Sequence, residues 1–328
     1  MAATDTLTVQ AAAPARRGPI LPWIWQSSTM VALVVLVAVF TIVGGGGFLS
    51  PGNITNILYQ VAILAIVAVA QTIVMVVGDF DLSVGTTATL AGATAGALMI
   101  DGASIPSAIL LALAVGAAIG AVNGVLVAVF NLSPFIATLA MMTTCMGLTL
   151  IVTDGTTLYG WPDTFSIIGQ ARVNGVPFPV VYAIVVAIVV WLVLRFTTLG
   201  RKWYAIGGNA EVARLSGVAV RPTRFLAFVS AGILAALAGV VLVSRLGSAG
   251  SGGAENLMMY AVAAVFLGKT VLRSGRANVG GSLIGVAIIG VVQNGLNILG
   301  VNTYVQQVLI GVIIVAAVLL SSLKNKTT

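Results

Sequence analysis

Apolar runs of about 20 residues follow one another along almost the whole chain, from VALVVLVAVFTIV (31–43) to VLIGVIIVAAVLL (308–320). A run of that length can cross the hydrocarbon of a bilayer. A backbone facing lipid must satisfy its own N–H and C=O groups, which a helix does and an open sheet edge does not. The pattern therefore predicts an all-α polytopic membrane protein. About ten transmembrane helices are expected, at roughly 28–49, 54–77, 82–100, 106–129, 134–153, 178–196, 223–246, 256–273, 277–299 and 303–322. The GGGG run at 44–47 ends the first, and Pro51, Pro106, Pro134 and Pro179 stand at or near helix starts, where a missing N–H costs little.

The distribution of positive charge sets the orientation. With an even number of spans and the N-terminus inside, the cytoplasmic junctions hold Arg195, Arg201, Lys202, Arg214, Arg221 and Arg224, then Lys269, Arg273 and Arg276. Arg16, Arg17, Lys324 and Lys326 join them from the two tails, leaving only Arg172 and Arg245 of the 15 bases outside. Both termini are thus expected in the cytoplasm. The expected organisation is a disordered tail at 1–27 with no cleavable secretory signal, a transmembrane body at 28–323 with a cytoplasmic segment at 197–224, and a short tail at 324–328. Ten spans also allow two inverted five-helix halves.

Composition then excludes most chemistry. Hydrophobic residues make up 59% of the chain. The net charge of +7 comes from the helix-flanking bases above, so no nucleic-acid partner is implied. There is no His and one Cys, Cys145. An imidazole metal site, a Ser-His or Cys-His nucleophile pair and an internal disulfide are all ruled out. No metal site is expected. No glycine loop followed by Lys-Ser/Thr is present either, so the chain is not expected to hydrolyse ATP.

The expected interior carries amides and hydroxyls rather than charges: Gln71, Asn123, Thr138, Thr143, Thr144, Gln293, Asn294 and Asn297. These groups either glue helices together or line a path for a neutral, hydroxyl-rich solute. Small-residue ladders at Gly92/Gly96, Gly116/Gly120/Gly124 and Gly281/Gly285 allow close helix packing. Against this background GDFDLSVG (78–85) stands out, because Asp79 and Asp81 are two of only eight acids. Asp81 can N-cap the third span, or the octet can be an inner gate that moves during transport; Ser83 belongs to either reading. An intramembrane enzyme using both carboxylates is a third possibility, weakened because two acids at alternate positions rarely converge on one atom.

The longest cytoplasmic junction, TTLGRKWYAIGGNAEVARLSGVAVRPTR (197–224), holds a short helix. Asn209 is a good N-cap, Glu211 sits where the helix dipole favours an anion, and Gly217 is a natural stop. A helix of about two turns is unstable alone. It rests either on lipid headgroups, helped by Arg201 and Lys202, or in a groove of a cytoplasmic ATPase.

At these residues the sequence resembles the permeases of ribose-type ABC importers. GRKWYAIGGNAEVARLSGV is one matching stretch; NITNILYQVAILAIVAVAQTIVMVVGDFDLSVG (53–85), NGVLVAVFNLSPFIATLAMMT (123–143), SRLGSA (244–249) and VVQNGLNILGVNTYVQQVLIGVIIVAAVLL (291–320) are others. The resemblance implies a translocation subunit of a bacterial inner membrane, without enzymatic activity or bound cofactor. It implies a second permease subunit, two cytoplasmic ATPases or one fused tandem ATPase that carry ATP and Mg, and a periplasmic or lipid-anchored solute-binding protein. The cargo is then a monosaccharide or sugar alcohol. ATPase coupling falls to Arg201, Gly208, Asn209, Glu211, Ala213, Arg214 and Gly217, with Ala213 small enough to let the helix approach its partner. Gate or pathway candidates are Asp79, Asp81, Ser83, Gln71, Asn123, Phe135, Asn294 and Asn297. Arg172, Arg245 and Glu255 are candidates for docking the binding protein, unless Arg245 and Glu255 simply pair. One departure is visible: the family usually reads Gly-Gly-Ile-Asp-Leu-Ser-Val-Gly at the octet, so Asp81 is the shared acid and Asp79 the added one. The alternative to an ABC permease is an ion-coupled secondary transporter, which would run on a gradient rather than on ATP.

Overall fold

The computed structural model describes residues 28–250, 252–269, 275–312 and 315. The expected tails, with Arg16, Arg17, Lys324 and Lys326, lie outside the described residues, as do Arg273 and the end of the tenth expected span. Helices α1 (Ser28–Val43), α2 (Pro51–Val77), α3 (Val84–Ile100), α4 (Ile105–Ala128) and α5 (Pro134–Thr153) come first. A connecting segment follows, with a 3-10 turn at Asp163–Phe165, the short α6 (Ser166–Gln170) and a two-stranded hairpin of β1 (Arg172–Val173) and β2 (Val176–Pro177). Then come α7 (Phe178–Phe196), α8 (Thr198–Gly208), α9 (Ala210–Leu215), α10 (Val220–Leu246), α11 (Glu255–Lys269), α12 (Val279–Ile298) and a helix over 303–312, here α13.

The protein is an all-α membrane protein. Among the described residues, α2, α4, α5, α7, α10 and α12 are long and apolar enough to cross a membrane, and three shorter apolar helices lie at Met30–Val43, Val84–Ile100 and Asn256–Lys269. A helix occupies each of the ten expected segments. The boundaries shift where local chemistry differs from hydropathy. α3 begins at Val84, two residues late, and α10 begins at Val220, three residues early, taking in Arg221 and Arg224. Proline stands in the first turn of α2, α4, α5 and α7. Ser50 and Ser104 complete two of these starts by accepting from the amides of Asn53 and Ser107.

Two helices carry the core. α2 is buried almost continuously from Ala62 to Val77, packed by α7, α10, α11 and α12. α10 lies along α4, α3 and α2, and the small-residue ladders are the reason it can. Gly116 meets the Gly232 carbonyl, Gly120 meets Phe228, and Gly92 meets Gly239, each so closely that a methyl group would overlap backbone atoms. Gly281 and Gly285 play the same part for α12 against Gly268 and Ala264 of α11. Without a hydrophobic drive between helices in lipid, such close approach is what holds a bundle together.

Candidate functional site

Gly78 ends α2 in the left-handed conformation (φ +94°), which only glycine adopts without strain, and the Asp79 amide donates back to the Val74 carbonyl at 3.1 Å. The helix thereby stops, and a short irregular segment leads to a turn at Leu82 and Ser83 before α3. Asp79 and Asp81 are both buried, but they do not converge. Asp79 receives a fork from Arg224, with Nε on Oδ2 at 2.5 Å and Nη2 on Oδ1. Its exposure is 4% and that of Arg224 is 21%, so the pair is largely withdrawn from solvent.

Asp81 points elsewhere. Its Oδ1 accepts from the Ser83 amide at 2.8 Å and from the Ser83 hydroxyl at 2.6 Å. Asn123 on α4 donates to that hydroxyl at 2.9 Å, and the Leu82 amide donates to Thr138 Oγ1 on α5 at 3.1 Å. Ser83, not Asp81, occupies the N-cap position of α3, and its side chain makes no capping bond there. The expected Asp81 cap is therefore corrected: the carboxylate closes the turn just before the helix. Burial pushes the Asp81 carboxyl above its ordinary value, against the lowering effect of the Ser83 hydrogen bonds. Phe80 lies outward and stacks on Phe266 of α11 at 5.8 Å.

The junction forms the floor beneath this turn. α8 is a further helix that no hydropathy run announced, buried through Gly200, Trp203 and Ile206. Trp203 Nε1 donates to the Thr223 carbonyl at 2.8 Å, and the Tyr204 hydroxyl donates to the Ala277 carbonyl at 3.1 Å. Gly207 lies so close to the Val76 carbonyl that a side chain there would overlap it. α9 follows as expected: Asn209 Oδ1 accepts from the amides of Glu211 and Val212, both at 3.0 Å, and Gly217 (φ +83°) stops it. Arg201 is exposed and reaches the Phe196 carbonyl, while Gly208 borders Arg276.

Ala213 faces inward, 4% exposed within the chain's own core. Its small size lets α9 lie against its own protein. The exposed face carries Val212, Leu215 and the Glu211–Arg214 pair, which is joined by a bond of 2.9 Å from Arg214 Nε. That pair holds the Glu211 carboxyl below its ordinary value.

At the opposite end of α2, Arg172 and Arg245 lie over one ring, Tyr59, at 5.6 and 5.1 Å from its centroid. The Tyr59 hydroxyl donates to the Gln170 carbonyl at 2.9 Å, and Gln170 Nε2 donates to the Arg245 carbonyl at 3.1 Å. Glu255 is the first residue of α11; its side chain is outside the description. Tyr59 was not a sequence candidate. An aromatic residue near a helix start gives no sign of two arginines from distant segments.

Of the remaining candidates, only Asn123 joins the octet. Asn294 trades two amide hydrogen bonds with Asn53, at 2.8 and 2.9 Å, which tie α12 to the start of α2. Asn297 and Phe135 are exposed. Gln71 is fully buried with neither amide atom bonded, and the Asn123 carbonyl oxygen is likewise unpartnered. A cavity of about 200 Å³ lies between α3, α10 and the 248–253 loop, with Thr89, Thr157 and Ser248 among its lining; no sequence candidate touches it.

An apolar helical bundle whose buried polar groups are mostly amides and hydroxyls, with buried carboxylates at Asp79 and Asp81 beside the junction, is the frame of a multi-pass membrane protein. The chain belongs to the family described as branched-chain amino acid transport system, permease component, which matches residues 53–318. Among curated relatives, it is 41% identical to the ribose import permease protein RbsC of Bacillus subtilis (strain 168), over 90% of this chain and 92% of that one. It is 40% identical to RbsC of Escherichia coli (strain K12), over 92% and 95%. It is 36% identical to the D-allose transport system permease protein AlsC of the same strain, over 91% and 92%. No solved structure matches the chain.

Proposed function

We propose that this protein is the translocation subunit of a binding-protein-dependent ABC importer that moves a small neutral polyhydroxylated solute, a monosaccharide or sugar alcohol, into the cytoplasm. The family match carries the permease assignment. The substrate class rests on relatives whose names specify ribose, D-allose and L-arabinose. An interior of amides, hydroxyls and backbone suits such a solute, because neutral donors and acceptors replace its hydration without a charge to compensate.

In this reading ten helices cross the bacterial inner membrane with both termini in the cytoplasm. The 28–323 body pairs with a second permease subunit. Two ATPase subunits, or a fused tandem, bind ATP and Mg beneath the junction, and a periplasmic or lipid-anchored binding protein delivers solute above. Nucleotide binding draws the ATPases together; α9 follows, and the helices exchange outward- and inward-open arrangements. For ATP to drive this exchange it must favour one arrangement over the other. The coupling contact is the exposed face of α9, Glu211, Val212, Arg214 and Leu215, with Asn209 and Gly217 fixing its ends. Arg172 and Arg245, with Glu255, form the docking rim, and the octet with Asn123 forms the inner end of the pathway.

The test is transport by the complex reconstituted in proteoliposomes with its ATPases and binding protein. Labelled ribose, allose and arabinose should enter when ATP faces the nucleotide-binding side, and uptake should persist when ionophores collapse ion gradients. Uptake abolished by ionophores at constant ATP sinks the reading in favour of an ion-coupled carrier. Leu215→Asp should detach the ATPases during purification while leaving the permease folded.

A further inference from the structure

The octet is tied at both ends. Asp79 grips Arg224 at the start of α10, next to Thr223, whose carbonyl holds Trp203 of the junction. Four residues further on, Ser83 is held by Asn123 of α4, and Leu82 by Thr138 of α5. Gly207 packs on the Val76 carbonyl, so the floor and the end of α2 are also in direct contact. Between these ties the chain is short, six residues from Gly78 to Ser83, and it closes in a turn at Leu82 and Ser83, with little slack to absorb a displacement. A forked guanidinium–carboxylate pair is directional as well as charged, so it transmits rotation where a single contact would pivot.

Asp79 adds this tie at a position where the resembled family reads glycine. We infer that Asp79 and Arg224 are a positioning pair: through them the junction sets where the octet lies, and through the octet it sets the start of α3 against Asn123 and Thr138. The inference rests on the permease reading above. It goes beyond that reading by naming the bond that carries junction movement into the bundle. Neither residue touches solute; both act through Ser83 and its neighbours. When the junction moves, α10 and the octet move as one body, and α3 follows.

Cys145 reports on the far end of this chain of contacts. It is the only cysteine, fully buried on α5 in a cluster with Leu90 of α3, so a shift of α3 changes its access to reagent. The experiment measures N-ethylmaleimide labelling of Cys145 in the full complex with its ATPases, with and without AMP-PNP and Mg. The proteins compared are native, Asp79→Asn, Arg224→Gln and the double variant. Nucleotide should change the native labelling rate by about fivefold or more, the lower end of ordinary coupling between sites. Either single substitution should remove most of that response, and the double should be no worse than either, as one shared interaction requires. Val291→Cys in a Cys145→Ala background, buried on α12 among Phe40, Phe48 and Val292 and away from α3 and α10, measures general loosening.

A full nucleotide response in either single variant overturns the inference. So does labelling that rises equally at Cys145 and in Val291→Cys, which is the signature of a merely structural pair. An absent response in a native complex with active ATPases overturns it too, while leaving the permease reading standing. Failure of the native chain to retain any ATPase sinks that reading and the inference with it. Should Arg224→Gln not accumulate, Arg224→Lys keeps the charge and loses the fork: a diminished response supports the pair, and an undiminished one refutes it.

Discussion

The two ends of α2 handle arginine in opposite ways. At its C-terminal end Arg224 finds a carboxylate within the same chain and closes on it as a fork. At its N-terminal end, about 27 Å away along the helix between Tyr59 and Val77, Arg172 and Arg245 share the faces of one tyrosine, and no ion pair to either is seen among the described residues. A paired charge is committed to internal structure. A guanidinium held by a ring and by neutral oxygens, the Tyr59 hydroxyl for Arg172 and the Tyr59 carbonyl for Arg245, keeps donors open to other acceptors. Charge is thus tied to a carboxylate at one end and laid over a ring at the other.

The sharpest way to break this contrast is to delete one arginine from each end. Arg224→Ala strands a buried carboxylate and should lower stability by about 3–5 kcal/mol, read as a fall in the thermal unfolding midpoint in detergent. Replacing both partners, Asp79→Leu with Arg224→Leu, should recover most of the loss, since an apolar pair leaves nothing unpaired. Arg172→Ala should cost only about 1 kcal/mol. Equal losses at the two ends would remove the distinction. Next in size, Tyr59→Ala removes the ring beneath both guanidiniums and should cost about 2 kcal/mol, whereas Tyr59→Phe keeps the ring and gives up one hydrogen bond, about 1 kcal/mol.

Recognition at the outer end has its own signature. Arg172→Glu should leave stability near native yet reduce stimulation of ATP hydrolysis by the loaded binding protein about tenfold at low salt, with the deficit shrinking as salt rises. Unchanged stimulation would show that this rim recognises nothing acidic. The smallest effect concerns Asp81. A carboxyl raised by burial is disfavoured in its charged form by the fold, so its penalty is full above the raised value. The penalty fades as pH falls from there to the ordinary value of 3.8. The native chain should therefore gain slightly in stability, relative to Asp81→Asn, as melts are moved from neutral to mildly acidic pH. A relative loss would mean that Asp81 is stabilised as an anion.

Most of the helices were legible because length and hydropathy are local properties, and the prolines and the Gly78 stop punctuate them. α9 was legible for the same reason: Asn209, Glu211 and Gly217 are cap chemistry within nine residues. What escaped was what the fold brings together. The Asp79–Arg224 pair spans 145 positions, and the resemblance put weight on Asp81 because that acid is shared. Asp81→Asn keeps an acceptor for Ser83 while Asp79→Asn breaks an ion pair, which puts the heavier cost on the acid that the resemblance does not share. The facing of α9 escaped for a different reason: a helix this short gives no periodic sign of its buried side, and Ala213 packs inward while Val212 and Leu215 are exposed. α8 had a usable sign in Trp203 and Ile206, three residues apart beside two neighbouring bases, an amphipathic pattern too brief to stand out from runs of 20.

The amide clasp between Asn53 and Asn294 sets a schedule for biogenesis. Its halves are 241 residues apart, so at roughly 5–20 residues per second of synthesis the first waits on the order of 10–50 s for the second. Asn53 can wait because it lies in the first turn of its helix and already donates to the Phe48 carbonyl at 2.8 Å. The early helices can therefore enter the membrane and pack provisionally. The seam between them and α12 closes only when the last third of the chain has been made. A ribosome that stops short of α12 leaves a bundle with an open side and an unanswered amide, a form that membrane quality control can tell from the finished permease.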